Sequence, residues 1–175
     1  KIYSKLGNFP ENLKNISDNI CIDGYYIDDT TLNLAIGSNN THFNNTTEYL
    51  CFLEIKTETN NNYNYQINNC VYINTNSKRV NKVKIGKNNG SLPFIVYASD
   101  QKLFVTKLDT SGNFSTPYYI ENITLNSEIL NNVNNFFDVN TISKTDDYVI
   151  DNVVYTNATY NNPYKYETKI FNNLV

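Results

Sequence analysis

Apolar and polar residues alternate with period two along most of this chain. In TLNLAI, Leu32, Leu34 and Ile36 share one face, and in LCFLEIK, Cys51, Leu53 and Ile55 do the same. Segments of four to nine residues with this pattern recur between clusters of Asn, Asp, Gly and Ser. They predict strands at Lys1–Leu6, Asn19–Ile27, Thr31–Ile36, Tyr49–Thr57, Tyr63–Asn68 and Val71–Asn74. Six more follow at Val80–Ile85, Leu92–Ala98, Lys102–Leu108, Phe114–Ile120, Tyr148–Thr156 and Tyr164–Phe171. A helical period is nearly absent. NSEILNNVNN, Asn126–Asn135, is the main candidate, with Ser127 as its cap and Ile129, Leu130 and Val133 on one side. Its five Asn limit it to a turn or two. A short entry helix is expected near Glu11–Ile16, after Pro10.

The strands near 80–85, 92–98, 102–108 and 114–120 are joined by GKNNGS, SDQ and DTSGN. Connections this short force antiparallel neighbours, and Gly or Asn serves where φ must be positive. The result is a four-stranded meander at about 80–120. A dozen strands in one flat sheet would leave two apolar faces in water, so packed layers are required. The expected fold is all-β: an antiparallel β-sandwich, jelly-roll-like, formed as one domain over residues 1–175. At 175 residues the chain is long enough to bury a core without disulfide staples.

Composition adds a preference for neutral polar groups. There are 34 Asn against 13 Lys, so an AT-rich codon bias does not account for the asparagine by itself. Asn builds turns, and it also offers a donor and an acceptor without charge, which suits sugar hydroxyls. Net charge is −3, and the basic residues Lys78, Arg79, Lys82, Lys84 and Lys87 form no groove-like cluster. If 80–86 is a strand, Lys82 and Lys84 occupy a solvated face opposite Val83 and Ile85, which argues against a nucleic-acid partner. No apolar run approaches 18 residues, so membrane insertion is not expected. The sequence begins at Lys1 and contains no Met, as a processed product or a segment of a longer chain would. Eight Asn-x-Ser/Thr patterns occur, most of them chance matches in so Asn-rich a chain, and they do not establish glycosylation.

Candidate chemistry is sparse. His42 is the single histidine and lies in the polar loop SNNTHFNNTT, where exposure is expected. No nucleophile elbow, phosphate loop or zinc-binding helix motif occurs. The paired carboxylates Asp28–Asp29 and Asp146–Asp147 sit in turn-like sequence, and adjacent strand residues point to opposite faces. Asp146, Asp147, Asp151 and Asn152 are hard oxygen donors within seven residues, but their spacing fits no EF-hand loop. No metal or cofactor is expected. Cys21, Cys51 and Cys70 fall in strand-like segments, Cys51 as a small buried residue; one disulfide among them is compatible with the sequence, which does not choose the pair.

Tyrosines cluster as Tyr25–Tyr26, Tyr63–Tyr65, Tyr118–Tyr119 and Tyr160–Tyr166. Adjacent strand tyrosines divide between core and surface, so each doublet is expected to expose one ring. An exposed ring stacks on a sugar face while neighbouring amides take its hydroxyls. NNNYNY and TYNNPYKYE carry that mixture, which makes Tyr63, Asn64, Tyr65, Tyr160, Asn161, Tyr164 and Tyr166 the candidate ligand-binding residues.

The opening KIYSKLGNF, with LCFLEIKT, VKIG and KLFVTKL further on, resembles C-terminal modules of phage tail fibres and related receptor-binding proteins over about the first 120 residues. The resemblance implies a trimer at a virion surface or outside a cell, holding a host cell-surface glycan or protein receptor. The absence of Trp departs from many sugar platforms. The leading expectation is therefore a non-enzymatic receptor- or carbohydrate-binding module of a viral fibre or adhesin. The alternatives are a capsid-type β domain serving assembly and a glycoside hydrolase using the paired Asp, which needs converging carboxylates.

Overall fold

The computed structural model describes residues 6–7, 10–14, 20–58, 64–87, 92–100, 102–119, 140–144, 147–159 and 162–172. The chain is all-β. Strand β1 (Leu6–Gly7) and helix α1 (Glu11–Lys14) precede β2 (Ile20–Asp28), β3 (Thr31–Ser38), β4 (Glu48–Glu58) and β5 (Asn64–Asn74). These strands form a five-stranded sheet in the order β1-β5-β4-β3-β2. A second sheet follows from β6 (Lys82–Lys87), β7 (Pro93–Ser99), β8 (Lys102–Lys107) and β9 (Tyr118–Tyr119), in the order β6-β7-β8-β9. Strands β10 (Asn140–Lys144), β11 (Asp147–Thr159) and β12 (Asn162–Asn172) make a three-stranded antiparallel sheet. The helix expected at Asn126–Asn135 lies outside the described residues.

The second sheet is the expected meander. The antiparallel sandwich stands, but its winding is simpler than the jelly-roll-like path expected. Within each of the two larger sheets β2 to β9 lie beside their sequence neighbours, where a jelly roll passes successive strands between sheets. Short turns explain this for β2–β3, β4–β5, β6–β7 and β7–β8, whose two- to five-residue connections can reach only the adjacent position; the longer β3–β4 and β8–β9 connections end at the adjacent position as well. The parallel pair is β1 with β5, Leu6 opposite Tyr65 and Gly7 opposite Gln66.

Two further expectations are corrected. Tyr63–Asn68 and Val71–Asn74 are one continuous strand, β5. Its register against β4 shifts between Glu54 opposite Asn69 and Ile55 opposite Ile67, so a bulge absorbs the Asn-rich break at Asn68. Conversely, Phe114–Ile120 is not one strand among the described residues. Phe114 makes a single bridge to Leu108, and pairing resumes only at Tyr118–Tyr119. Pro117 lies between, with no N–H to give to a ladder.

The inner faces of the two larger sheets share one core. Ala35, Leu50, Phe52 and Ile73 from the first sheet meet Val83, Ile85, Ile95, Tyr97 and Phe104 from the second. Phe52 and Phe114 touch with ring centroids 5.2 Å apart, and Tyr97 stacks on Phe104 at 5.2 Å. Burying each such side chain contributes about 1.5–3 kcal/mol. The first sheet is apolar on its other face too. Leu13 of α1 and Phe43 of the β3–β4 loop join Ile36, Cys51, Leu53 and Ile55 there. The apolar run at residues 50–53 is therefore buried on both sides, with Cys51 fully enclosed as expected.

One side of the sandwich is stitched at the strand edges. Asp23 of β2 accepts the backbone N–H of Ile85 on β6 at 3.0 Å, and Lys84 Nζ lies 3.7 Å from the same carboxylate. This occupies an edge donor that would otherwise await a partner. Val80 N–H donates to the Ser38 carbonyl at 2.8 Å beside Gly37. A Cβ at Gly37 would overlap the Val80 side chain and Cys21 Sγ, so only glycine admits the crossing chain this closely.

The Tyr97 hydroxyl is buried and has no hydrogen-bond partner among the described residues. Burial alone holds its ionisation well above the usual tyrosine value. Removing an unsatisfied polar atom of this kind is expected to be neutral or stabilising by up to about 1 kcal/mol. Chemical denaturation of Tyr97→Phe checks this; a loss of more than about 1 kcal/mol would show that the hydroxyl is satisfied.

Candidate functional site

A groove of about 270 Å³ runs between the end of β5 and the segment after β8. One wall is Val71, Tyr72, Ile73, Asn74 and Asn76; the other is Asn113, Phe114, Ser115, Thr116 and Pro117. No described strand pairs on the outer side of β5 beyond Gln66, so the Val71–Asn74 wall presents a strand edge. Among the described residues, none of the lining side chains is charged. The volume falls just below the range of about 300–1,000 Å³ that holds drug-sized ligands, so it suits one ring-sized group.

Both walls are fixed by local hydrogen bonds. Behind the first, Thr75 to Lys78 form a tight turn closed by Lys78 N–H to the Thr75 carbonyl at 3.1 Å. The Thr75 hydroxyl donates to the Lys78 carbonyl at 2.8 Å, and Asn76 N–H donates to Asn74 Oδ1 at 2.8 Å. Asn76 and Ser77 both have positive φ, 54° and 63°, as the two central residues of this turn type require. Lys78 pairs with Asp100 at 3.0 Å and anchors the turn to the second sheet. On the other wall, Asp109 Oδ1 accepts from the Ser111 and Asn113 N–H groups at 2.8 and 2.9 Å. Gly112 follows at φ 84°. The Thr106 hydroxyl donates to the Ser115 carbonyl at 2.6 Å, and Ser115 N–H donates to the Lys107 carbonyl at 2.8 Å. Phe114 is held by Phe52 beneath it.

Among the described residues, the side-chain amides of Asn76 and Asn113 have no hydrogen-bond partner, which leaves their donors and acceptors to a ligand. Tyr72 stacks against Phe43 at 6.4 Å. Burial, and then the neighbouring Cys70 sulfur, hold its hydroxyl well above the usual tyrosine value. Its hydroxyl is engaged by Cys70 and Asn12 on the outward face of the sheet.

The residues expected to bind a ligand are not assembled here. Tyr65 is exposed on β5, opposite Thr57. It is seven residues from Tyr72, roughly 23 Å along the strand. Asn64 also lies on β5, while Tyr164 and Tyr166 lie on β12, Tyr166 opposite Thr156. Tyr63, Tyr160 and Asn161 fall outside the described residues. The doublets divide as expected at Tyr25 and Tyr26, where Tyr26 is exposed and Tyr25 half-buried. They do not at Tyr118 and Tyr119, which are both exposed because a two-residue edge strand has little sheet to bury a ring against.

The other candidates resolve into local structure. Asp28 closes the β2–β3 turn, accepting from Thr30 N–H at 2.7 Å and the Thr30 hydroxyl at 2.8 Å. The Thr30 hydroxyl and amide hold its carboxyl below the usual value. Asp147 and Asp151 lie on β11, and Asp146 is outside the described residues. His42 is exposed in its loop, with its ring 6.4 Å from that of Tyr49. Among the described residues no three His, Cys, Asp or Glu side chains converge. No described helix is long and apolar enough to cross a membrane.

No family model, curated protein or solved structure matches the chain.

The groove was not readable from sequence because it joins residues about forty positions apart. Its only signal is that NTNS and GNFSTP place amides and hydroxyls beside an aromatic or apolar residue at the ends of strands. Ser77 stores backbone strain that glycine would not, at a cost of order 1 kcal/mol. Ser77→Gly is therefore expected to stabilise the protein by about that amount, read as a raised melting temperature. A fall would show that the Ser77 side chain makes a stabilising contact.

Proposed function

We propose that this protein is a non-enzymatic binding module that takes a neutral, hydroxyl-rich ligand, of the kind displayed by a host cell-surface glycan, in the groove between Val71–Asn76 and Asn113–Pro117. The observation that carries this reading is the lining: its described side chains carry no charge, and it sets Phe114 and Pro117 beside the unengaged amides of Asn76 and Asn113 and the hydroxyl of Thr116. Sugars are bound by this pairing of apolar ring faces with planar amides. The walls are fixed before the ligand arrives, which lowers the ordering cost of binding. The resemblance to tail-fibre modules supplies the setting, a virion or cell surface, and the trimer that such modules form.

A glycan array with the full chain, followed by calorimetry on the strongest hit, tests this. Asn113→Ala is expected to weaken binding about tenfold, the loss of one to two hydrogen bonds. An array without hits, or hits that Asn113→Ala leaves unchanged, would remove the groove from the account.

A second reading, a domain serving assembly, is favoured by the outward face of β2. Ile20, Ile22 and Tyr26 are 51%, 57% and 66% exposed in a row beside Leu32 and Leu34. Exposed apolar rows of this kind mark interfaces. Because the first reading also includes a trimer, light scattering on Ile22→Asp tests the face itself. Loss of an oligomer that the unmodified chain forms at micromolar concentration supports assembly through β2, whereas an unchanged oligomer, or a monomer from the start, removes that role.

A further inference from the structure

Three free cysteines occur on the five-stranded sheet, and the structure separates them. Cys51 on β4 and Cys70 on β5 share its outward face with their Sγ atoms 3.9 Å apart. Cys21 lies on the inward face beside Gly37, its thiol 4.0 Å from the Val80 carbonyl. Burial pushes the Cys21 thiol up to about 12, so it stays protonated and inert. Cys51 is fully enclosed, whereas Cys70 is half-buried and within reach of a small reagent. The arrangement is therefore one accessible thiol, one enclosed thiol touching it, and a third isolated on the other side of the sheet.

We propose that Cys51 and Cys70 are a reversible dithiol–disulfide pair, oxidised by low-molecular-weight disulfides of the glutathione class that enter at Cys70. The hydrogen bond from Cys51, and a further one from Tyr72, favour the Cys70 thiolate; the same bond, with burial, raises Cys51. The Cys70 thiolate attacks one sulfur of the small disulfide, forming a mixed disulfide and expelling a thiolate. That leaving thiolate takes the proton of Cys51. Cys51 Sγ then attacks Cys70 Sγ, closing the intramolecular bond and expelling the second small thiolate, which takes a proton from water. Two protein thiols are oxidised, and one small disulfide is reduced to two thiols.

The geometry also sets the character of the bond. Closing the Sγ separation from 3.9 Å to a bond of about 2.05 Å needs a movement of about 1.9 Å. The two residues are diagonal neighbours, since Cys51 faces Tyr72 and Leu53 faces Cys70. Diagonal strand neighbours lie about 7–8 Å apart, just past the roughly 4.4–6.8 Å Cα span of a disulfide, so closing the bond requires a backbone shift. The bulge at Asn68, two residues from Cys70, gives the hairpin room to adjust. The bond is accordingly strained and easily reduced, unlike a permanent structural staple.

The test uses the full chain and is independent of any ligand in the groove. Folded protein is incubated with excess glutathione disulfide, alkylated in denaturant, and read by intact mass and peptide mapping. The expected product has lost two hydrogens, carries a Cys51–Cys70 crosslink, leaves Cys21 alkylated, and returns to three alkylated thiols in millimolar dithiothreitol. Unmodified protein, a persistent glutathione adduct on Cys70, a crosslink to Cys21, or a covalent dimer would each overturn the proposal. In Cys70→Ser, Cys51 is expected to resist glutathione disulfide while the chain stays folded; its modification there would overturn the order of attack.

Discussion

Phe52 packs across the sandwich onto Phe114, and the rest of the architecture depends on this kind of contact. Phe52 belongs to the first sheet, whereas Phe114 follows the last long strand of the second. Neither sheet can bury its inner face alone, because each has only one apolar layer toward the other. Packing them together removes Leu50, Ile73, Ile95 and Tyr97 from water at once. It also fixes the distance between β5 and the segment after β8, which is the width of the groove. The groove's geometry is thus a consequence of core packing, and its chemistry comes from the turns at its rim.

The molecule controls its edges by different means. At the β2–β6 side, Asp23 takes the Ile85 N–H and Lys84 stands beside it. At the far edge of the second sheet, β9 is two residues long, follows Pro117, and has Lys102 Nζ 4.9 Å over the Tyr119 ring. Both devices leave little backbone for an unwanted strand to join. The upper part of β5 has neither among the described residues, and that is where the groove lies.

Much of the fold was legible because its signal is local. Period-two alternation in TLNLAI and the turn residues Asp100 and Gly112 specify strands and reversals within a few positions, so the meander could be read directly. The two-sided burial of β4 was not legible, because its alternation puts Cys51, Leu53 and Ile55 on one face, and the cover over that face comes from Leu13 and Phe43, distant in sequence. What could not be read depends on positions brought together only by folding. The bulge that joins two expected strands into β5 depends on its register against Glu54 and Ile55. The groove depends on the approach of Asn76 and Asn113, and the choice among three cysteines depends on which face each occupies. Tyrosine and asparagine are so frequent here that richness in them singles out no place on the chain; the proposed groove is distinguished by side-chain amides that make no hydrogen bond among the described residues.

The central claim is that the two larger sheets fold as one body because they share a core. Native-state hydrogen exchange along a denaturant series tests it most directly. Amides of Leu50 and Phe52 on β4 and of Ile95 and Tyr97 on β7 are predicted to converge on the same highest opening free energy with the same denaturant slope. Two separate classes, with one sheet opening while the other stays protected, would contradict it.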